Sequence, residues 1–95
     1  MAEFDVTVIL ESPDAYTRTA IKEIARDLLE KVLKEIGIHS FNDIWGDPEF
    51  SPPFARISGT VFTNDPVDPA RHGYVEKEYR INGGIATITL MLRYL

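Results

Sequence analysis

Ninety-five residues with 10 Lys and Arg against 15 Asp and Glu, a formal charge of −5 and no cysteine set the first bounds. The length suits one domain, residues 1–95, large enough to bury a core without staples. The missing cysteine removes disulfides, thiol nucleophiles and zinc–thiolate sites, and no basic stripe offers phosphate contacts, which argues against nucleic acid as a partner.

Met1-Ala2-Glu3-Phe4-Asp5 has neither the basic start nor the apolar run of a signal peptide. No apolar stretch reaches the length of a membrane span. The expectation is a soluble, cytoplasmic protein without a membrane partner.

Phe4 to Leu10 alternates, with Phe4, Val6, Val8 and Leu10 on one side and Asp5, Thr7 and Ile9 on the other. That is the pattern of a strand with one face on a core. A long helix is predicted from about Asp14 to Gly37. Ser12, with Pro13 at the first helical position, or Asp14 would cap it. Gly37 followed by Ile38 suits a left-handed stop with an apolar residue folding back. Ile21, Ile24, Ala25, Leu28, Val32 and Ile36 recur at helical spacing, and Leu29 and Leu33 widen the stripe. Arg26–Glu30, Asp27–Lys31, Glu30–Lys34 and Lys31–Glu35 stand at i,i+4 on the polar side, as on a solvated helix face.

Residues 38–53 read as a long connection holding Phe41, Trp45 and Phe50 with three prolines. Ser40 to Trp45 suggests a short helical turn within it. Phe54 to Thr63 is the next strand, with Ala55, Ile57, Gly59 and Val61 on one face. Gly59 marks a bulge or a close approach by the helix. The Asp-Pro steps of residues 64–73 make a second loop. Tyr74 to Ile81 and Ile85 to Leu95 are strands joined by the hairpin signal Asn82-Gly83-Gly84.

The fold class expected is α+β, in the order β-α-β-β-β. One long amphipathic helix packs on one face of a four-stranded, mostly antiparallel sheet. The last three strands form a meander, and the first reaches the second by a right-handed crossover through the helix. On that topology the two loops leave opposite ends of the strand they flank.

One helix leaves the other sheet face open. Arg56, Phe62, Glu76, Glu78, Arg80 and Met91 are its interface candidates, among Asp5, Thr7, Ile9, Ser58, Thr60, Thr87, Thr89 and Arg93. Glu76 and Glu78 are spaced about 7 Å apart along one strand face, but as acid and base they would need a pocket and a raised pKa. His39, Trp45, Asp65 and His72 are the ligand-binding candidates in the two loops. No HxH or HExxH spacing, phosphate loop or nucleophile elbow occurs, so no metal, cofactor or catalytic residue is assigned. The leading expectation is a small non-enzymatic interaction or assembly module that forms a homo-oligomer through the open face or an edge strand. The alternative is a small-molecule- or metal-binding protein, or a modest enzyme, with its site in loops 38–53 and 64–73.

Overall fold

The computed structural model describes residues 1–11, 16–81 and 83–95. Its elements are β1 (Ala2–Glu11), α1 (Arg18–Glu35), β2 (Asn42–Trp45), β3 (Glu49–Ser51), β4 (Phe54–Thr63), α2 (Pro69–His72), β5 (Tyr74–Ile81) and β6 (Gly84–Tyr94). The class is α+β, as the periodicities imply. The sheet has six strands rather than four, in the order β2-β4-β1-β6-β5, with β3 also pairing β4. Every pairing is antiparallel.

Two topological expectations fail. The last three strands are not a meander, because β1 lies between β4 and β6. Only β5 and β6 form the expected hairpin, closing at Ile81↔Gly84 with Gly83 at φ +80°. The helix does not lead into a strand beside β1. It leads to β2, which runs in the same direction as β1 with β4 between them. The segment expected as a helical turn, Ser40 to Trp45, is mostly this strand. Phe41, Asp43 and Trp45 alternate in burial with Asn42 and Ile44, a period of two that helix geometry does not produce.

The proposed caps Ser12, Pro13 and Asp14 lie outside the described residues, and α1 starts later than expected. Its cap is Thr17, whose Oγ1 accepts from the Ala20 N–H at 3.1 Å. The stop is as expected. Gly37 sits at φ +87°, its N–H reaches the Lys34 carbonyl at 3.2 Å, and the Ile38 N–H reaches Leu33 at 2.8 Å. This double bond pattern is a Schellman motif, and Ile38 is buried behind it.

The core joins α1 to one parity of the strands. Ile21, Ala25, Leu28, Leu29, Val32 and Leu33 share a buried cluster with Phe4, Val6, Val8, Ile57, Val61, Ile88 and Leu90, and α1 contacts β4 and β6. Each fully buried aliphatic side chain stabilises by about 1.5–3 kcal/mol relative to exposure. The i,i+4 charges of α1 form no ion pairs with each other among the described residues. Instead Arg26 reaches Asp43 of β2 at 3.3 Å, Lys22 reaches Asp47 at 3.8 Å, and Glu35 reaches Lys77 of β5 at 3.7 Å. Long side chains on the helix flanks thus tie it to both margins of the sheet.

Gly59 faces the core side of β4, opposite Trp45. A Cβ there would meet the Ile44 carbonyl and lie 2.9 Å from Trp45 Cε3. The close approach predicted at this glycine is real, but the neighbour is the edge strand and its indole, not the helix.

Candidate functional site

Strand register arranges the sheet's other parity as a grid. Phe54, Glu11, Ile85 and Arg80 follow one another across β4, β1, β6 and β5. The next rows are Arg56, Ile9, Thr87, Glu78 and then Ser58, Thr7, Thr89, Glu76. Beyond them lie Thr60, Asp5, Met91 and Tyr74, with Ile44 of β2 beside Thr60. Phe62 and Glu3 end the grid on β4 and β1. The interface candidates Arg56, Phe62, Glu76, Glu78, Arg80 and Met91 therefore share one surface. All are exposed except Phe62, which is half-buried.

The surface has a polar middle and apolar ends. Ser58 Oγ and Thr7 Oγ1 lie 3.5 Å apart in the central row. At one end Ile9, Phe54 and Ile85 surround Glu11; at the other Met91 and Tyr74 are direct cross-strand partners, 51% and 57% exposed. Arg93 binds Glu3 at 3.7 Å and Asp5 at 3.5 Å, the cross-strand pairing expected of an open face. Acids still outnumber bases on the grid: Glu3, Asp5, Glu11, Glu76 and Glu78 against Arg56, Arg80 and Arg93. Tyr74, Phe54 and Ile44 also belong to this surface; strand parity in the sequence already puts the first two on this face, and Ile44 joins it through β2.

The loop candidates separate into three places. Asp65 Oδ2 accepts from the backbone N–H groups of His39 at 2.7 Å and Ser40 at 3.0 Å. Those two bonds, His39 first, hold the Asp65 carboxyl below its ordinary pKa. Thr63 Oγ1 completes the clamp by donating to the Ser40 carbonyl at 2.7 Å and accepting from the Asp65 N–H at 3.0 Å. The two loops thus meet where topology had separated them. Residues 42–51 run back along β4 as β2 and β3, so the segment just after α1 lies at the far end of β4. The contact is made by backbone, not by the His39 imidazole.

Trp45 sits elsewhere. With Lys22, Glu23, Arg26, Asp27 and Asp43 it lines an open cleft of about 440 Å³ between α1 and β2. Its Nε1 donates to Asp43 Oδ2 at 2.7 Å, and Asp43 Oδ1 also holds Arg26, whose guanidinium lies 5.0 Å from the Phe41 ring centre. His72 belongs to α2 and lines a second cleft of about 340 Å³ with Glu35, Ile36, Arg71 and the start of β5. His39, Trp45, Asp65 and His72 do not form one site.

Tyr79 is the described side chain whose buried polar atom, the phenol oxygen, lacks a hydrogen-bond partner. Burial, then the Glu35 charge, pushes its pKa up, and Lys31 Nζ lies 5.1 Å from the ring centre. Among the described residues no three His, Cys, Asp or Glu are grouped to hold a metal ion. No helix there is long and apolar enough to cross a membrane. Scans against protein-family models, curated proteins and solved structures find no match to this chain.

Proposed function

We propose that the protein is a small non-enzymatic assembly module that binds a second copy of itself through the part of the sheet that α1 leaves open. In this reading α1 is the lid of one face, and the working surface is the opposite face together with an edge. The observation that carries it is the margin of β5. There the exposed pair Tyr74 and Met91 adjoins an eight-residue strand with no neighbour on its outer side among the described residues. Exposed apolar pairs beside a free strand edge are the usual ingredients of strand-mediated association. A reducing, cytoplasmic setting suits a chain without cysteine.

Native mass spectrometry across a range of protein concentrations tests this. A discrete dimer or larger closed oligomer of unmodified mass is expected. A bare monomer at every concentration would overturn the proposal. A monomer carrying a bound small molecule would favour the second reading, a ligand in the α1–β2 cleft, where Trp45 offers an aromatic wall beside Lys22 and Arg26.

A further inference from the structure

We infer that the contact between copies is β5 against β5, antiparallel across a two-fold axis at Glu78; this rests on the self-association just proposed. The two sheets would then join into one continuous sheet. The direction in which each backbone group of β5 points decides which pairings are open to it. The Gly73 carbonyl accepts from the Leu92 N–H at 2.8 Å, and this pair falls in the β5–β6 register. Antiparallel ladders alternate. Val75, Lys77, Tyr79 and Ile81 therefore turn their N–H and C=O groups toward β6, and Tyr74, Glu76, Glu78 and Arg80 turn theirs outward. The outward groups sit on the open-face residues, so a two-fold pairing can bond them without disturbing β6.

Side chains then choose the register. With Glu78 on the axis, Glu76 of each copy faces Arg80 of the other, Val75 faces Ile81, and Lys77 faces Tyr79. Opposite charges meet twice and apolar groups twice, against one like pair, Glu78 with Glu78. Moving the axis to Lys77 sets Glu76 against Glu78 twice and Lys77 against itself. Moving it to Tyr79 shortens the overlap. Face-to-face stacking of the grids is worse. A two-fold axis along β1 sets Asp5 on Asp5 and Glu11 on Glu11, and an axis across β1 sets Glu3 on Glu11. An inward-side lysine often blunts an edge, but Lys77 is already engaged by Glu35 at 3.7 Å.

The test uses solution mass and cross-linking on the full chain. Glu78→Pro removes an outward N–H that makes no bond within the sheet, so it is expected to give a folded monomer by circular dichroism and light scattering. Glu76→Arg sets Arg against Arg twice and is expected to weaken the dimer about tenfold or more, and Glu76→Arg with Arg80→Glu restores it. Because the chain has no cysteine, Glu78→Cys gives a single thiol on the axis. It is expected to form a disulfide-linked dimer on mild oxidation, while Lys77→Cys does not. Wild-type dimers that persist in Glu78→Pro and Glu76→Arg, or cross-linking at 77 and not at 78, would overturn this edge or register while leaving self-association standing. A wild-type monomer would overturn both.

Discussion

On one side the sheet ends in β2 and β3, strands of four and three residues separated by Gly46, Asp47 and Pro48; on the other it ends in β5, eight residues without a break. The pairing of β2 with β4 and that of β3 with β4 differ in register by one residue, so side-chain parity switches between them. That is the effect of a bulge, a common way to spoil an edge for pairing. Pro48, Pro52 and Pro53 remove further donors there. The β2 edge is also pinned, by Trp45 on Gly59, by Arg26 on Asp43 and by the Asp65 clamp at its entry. The β5 edge has a helix-side tie, Lys77 to Glu35, but keeps a regular row of outward groups. One margin is thus covered by the chain's own side chains, while the other keeps its outward backbone groups uncovered among the described residues, and it is this second margin that the proposed pairing uses.

Breaking the pinned edge should cost the most. Gly59→Val drives a branched Cβ into the Ile44 carbonyl and the Trp45 ring. Forced overpacking of this kind costs about 2–3 kcal/mol. Urea unfolding should show that loss, and amide exchange should locate it. Protection is expected to fall across residues 42–51 and persist in β5 and β6. Uniform loss of protection would mean that the two edges unfold as one unit, and an unchanged urea midpoint would mean that Trp45 is not held on β4 as described.

A smaller effect is expected at the open edge. The Tyr79 phenol oxygen is buried without a partner, and such a group costs about 1–3 kcal/mol relative to one that is satisfied. Tyr79→Phe should therefore raise stability by about 1 kcal/mol, measured in the Glu78→Pro background so that association does not contribute. A lowered midpoint would show that the hydroxyl is satisfied in the monomer after all.

The contrast between the edges also explains what could be read from the chain and what could not. The stripe from Ile21 to Leu33, the Gly37–Ile38 stop and the alternation in β1, β4, β5 and β6 are local patterns, each visible within a window of a few residues. They were legible, and so was the parity that places Arg56, Glu76, Glu78, Arg80 and Met91 on one surface. Strand order was not. Nothing local in β6 says that β1 will lie beside it, because that pairing is decided by which apolar faces fit together across the core. β2 was hidden for a different reason. Its alternation, Phe41 to Trp45, lasts five residues and lies among prolines and Gly46, which reads as loop chemistry. With β2 read as loop, the segments flanking β4 leave from its opposite ends, and nothing local points to the meeting of Asp65 with His39 and Ser40.

That meeting supplies the smallest and most specific prediction. Asp65 binds two backbone N–H groups as a carboxylate, and its pKa is lowered from 3.8 for that reason. A group whose pKa is depressed on folding adds stability above its unfolded value, and that stability is lost as pH falls through the folded value. The window is therefore acid, below about pH 3.8. Asp65→Asn keeps an acceptor oxygen for His39 and Ser40 but has no proton to take up. At neutral pH the wild-type chain should be the more stable of the two, because charged acceptors make the stronger bonds. Below pH 3.8 the gap should narrow, as the wild-type carboxyl is protonated and becomes as neutral as the amide. Thermal midpoints of both proteins from pH 7 down to about pH 2 measure this. Curves that stay parallel would mean that the carboxylate charge contributes nothing to the clamp, and the entry into β2 would then rest on Thr63 and its bond to the Ser40 carbonyl.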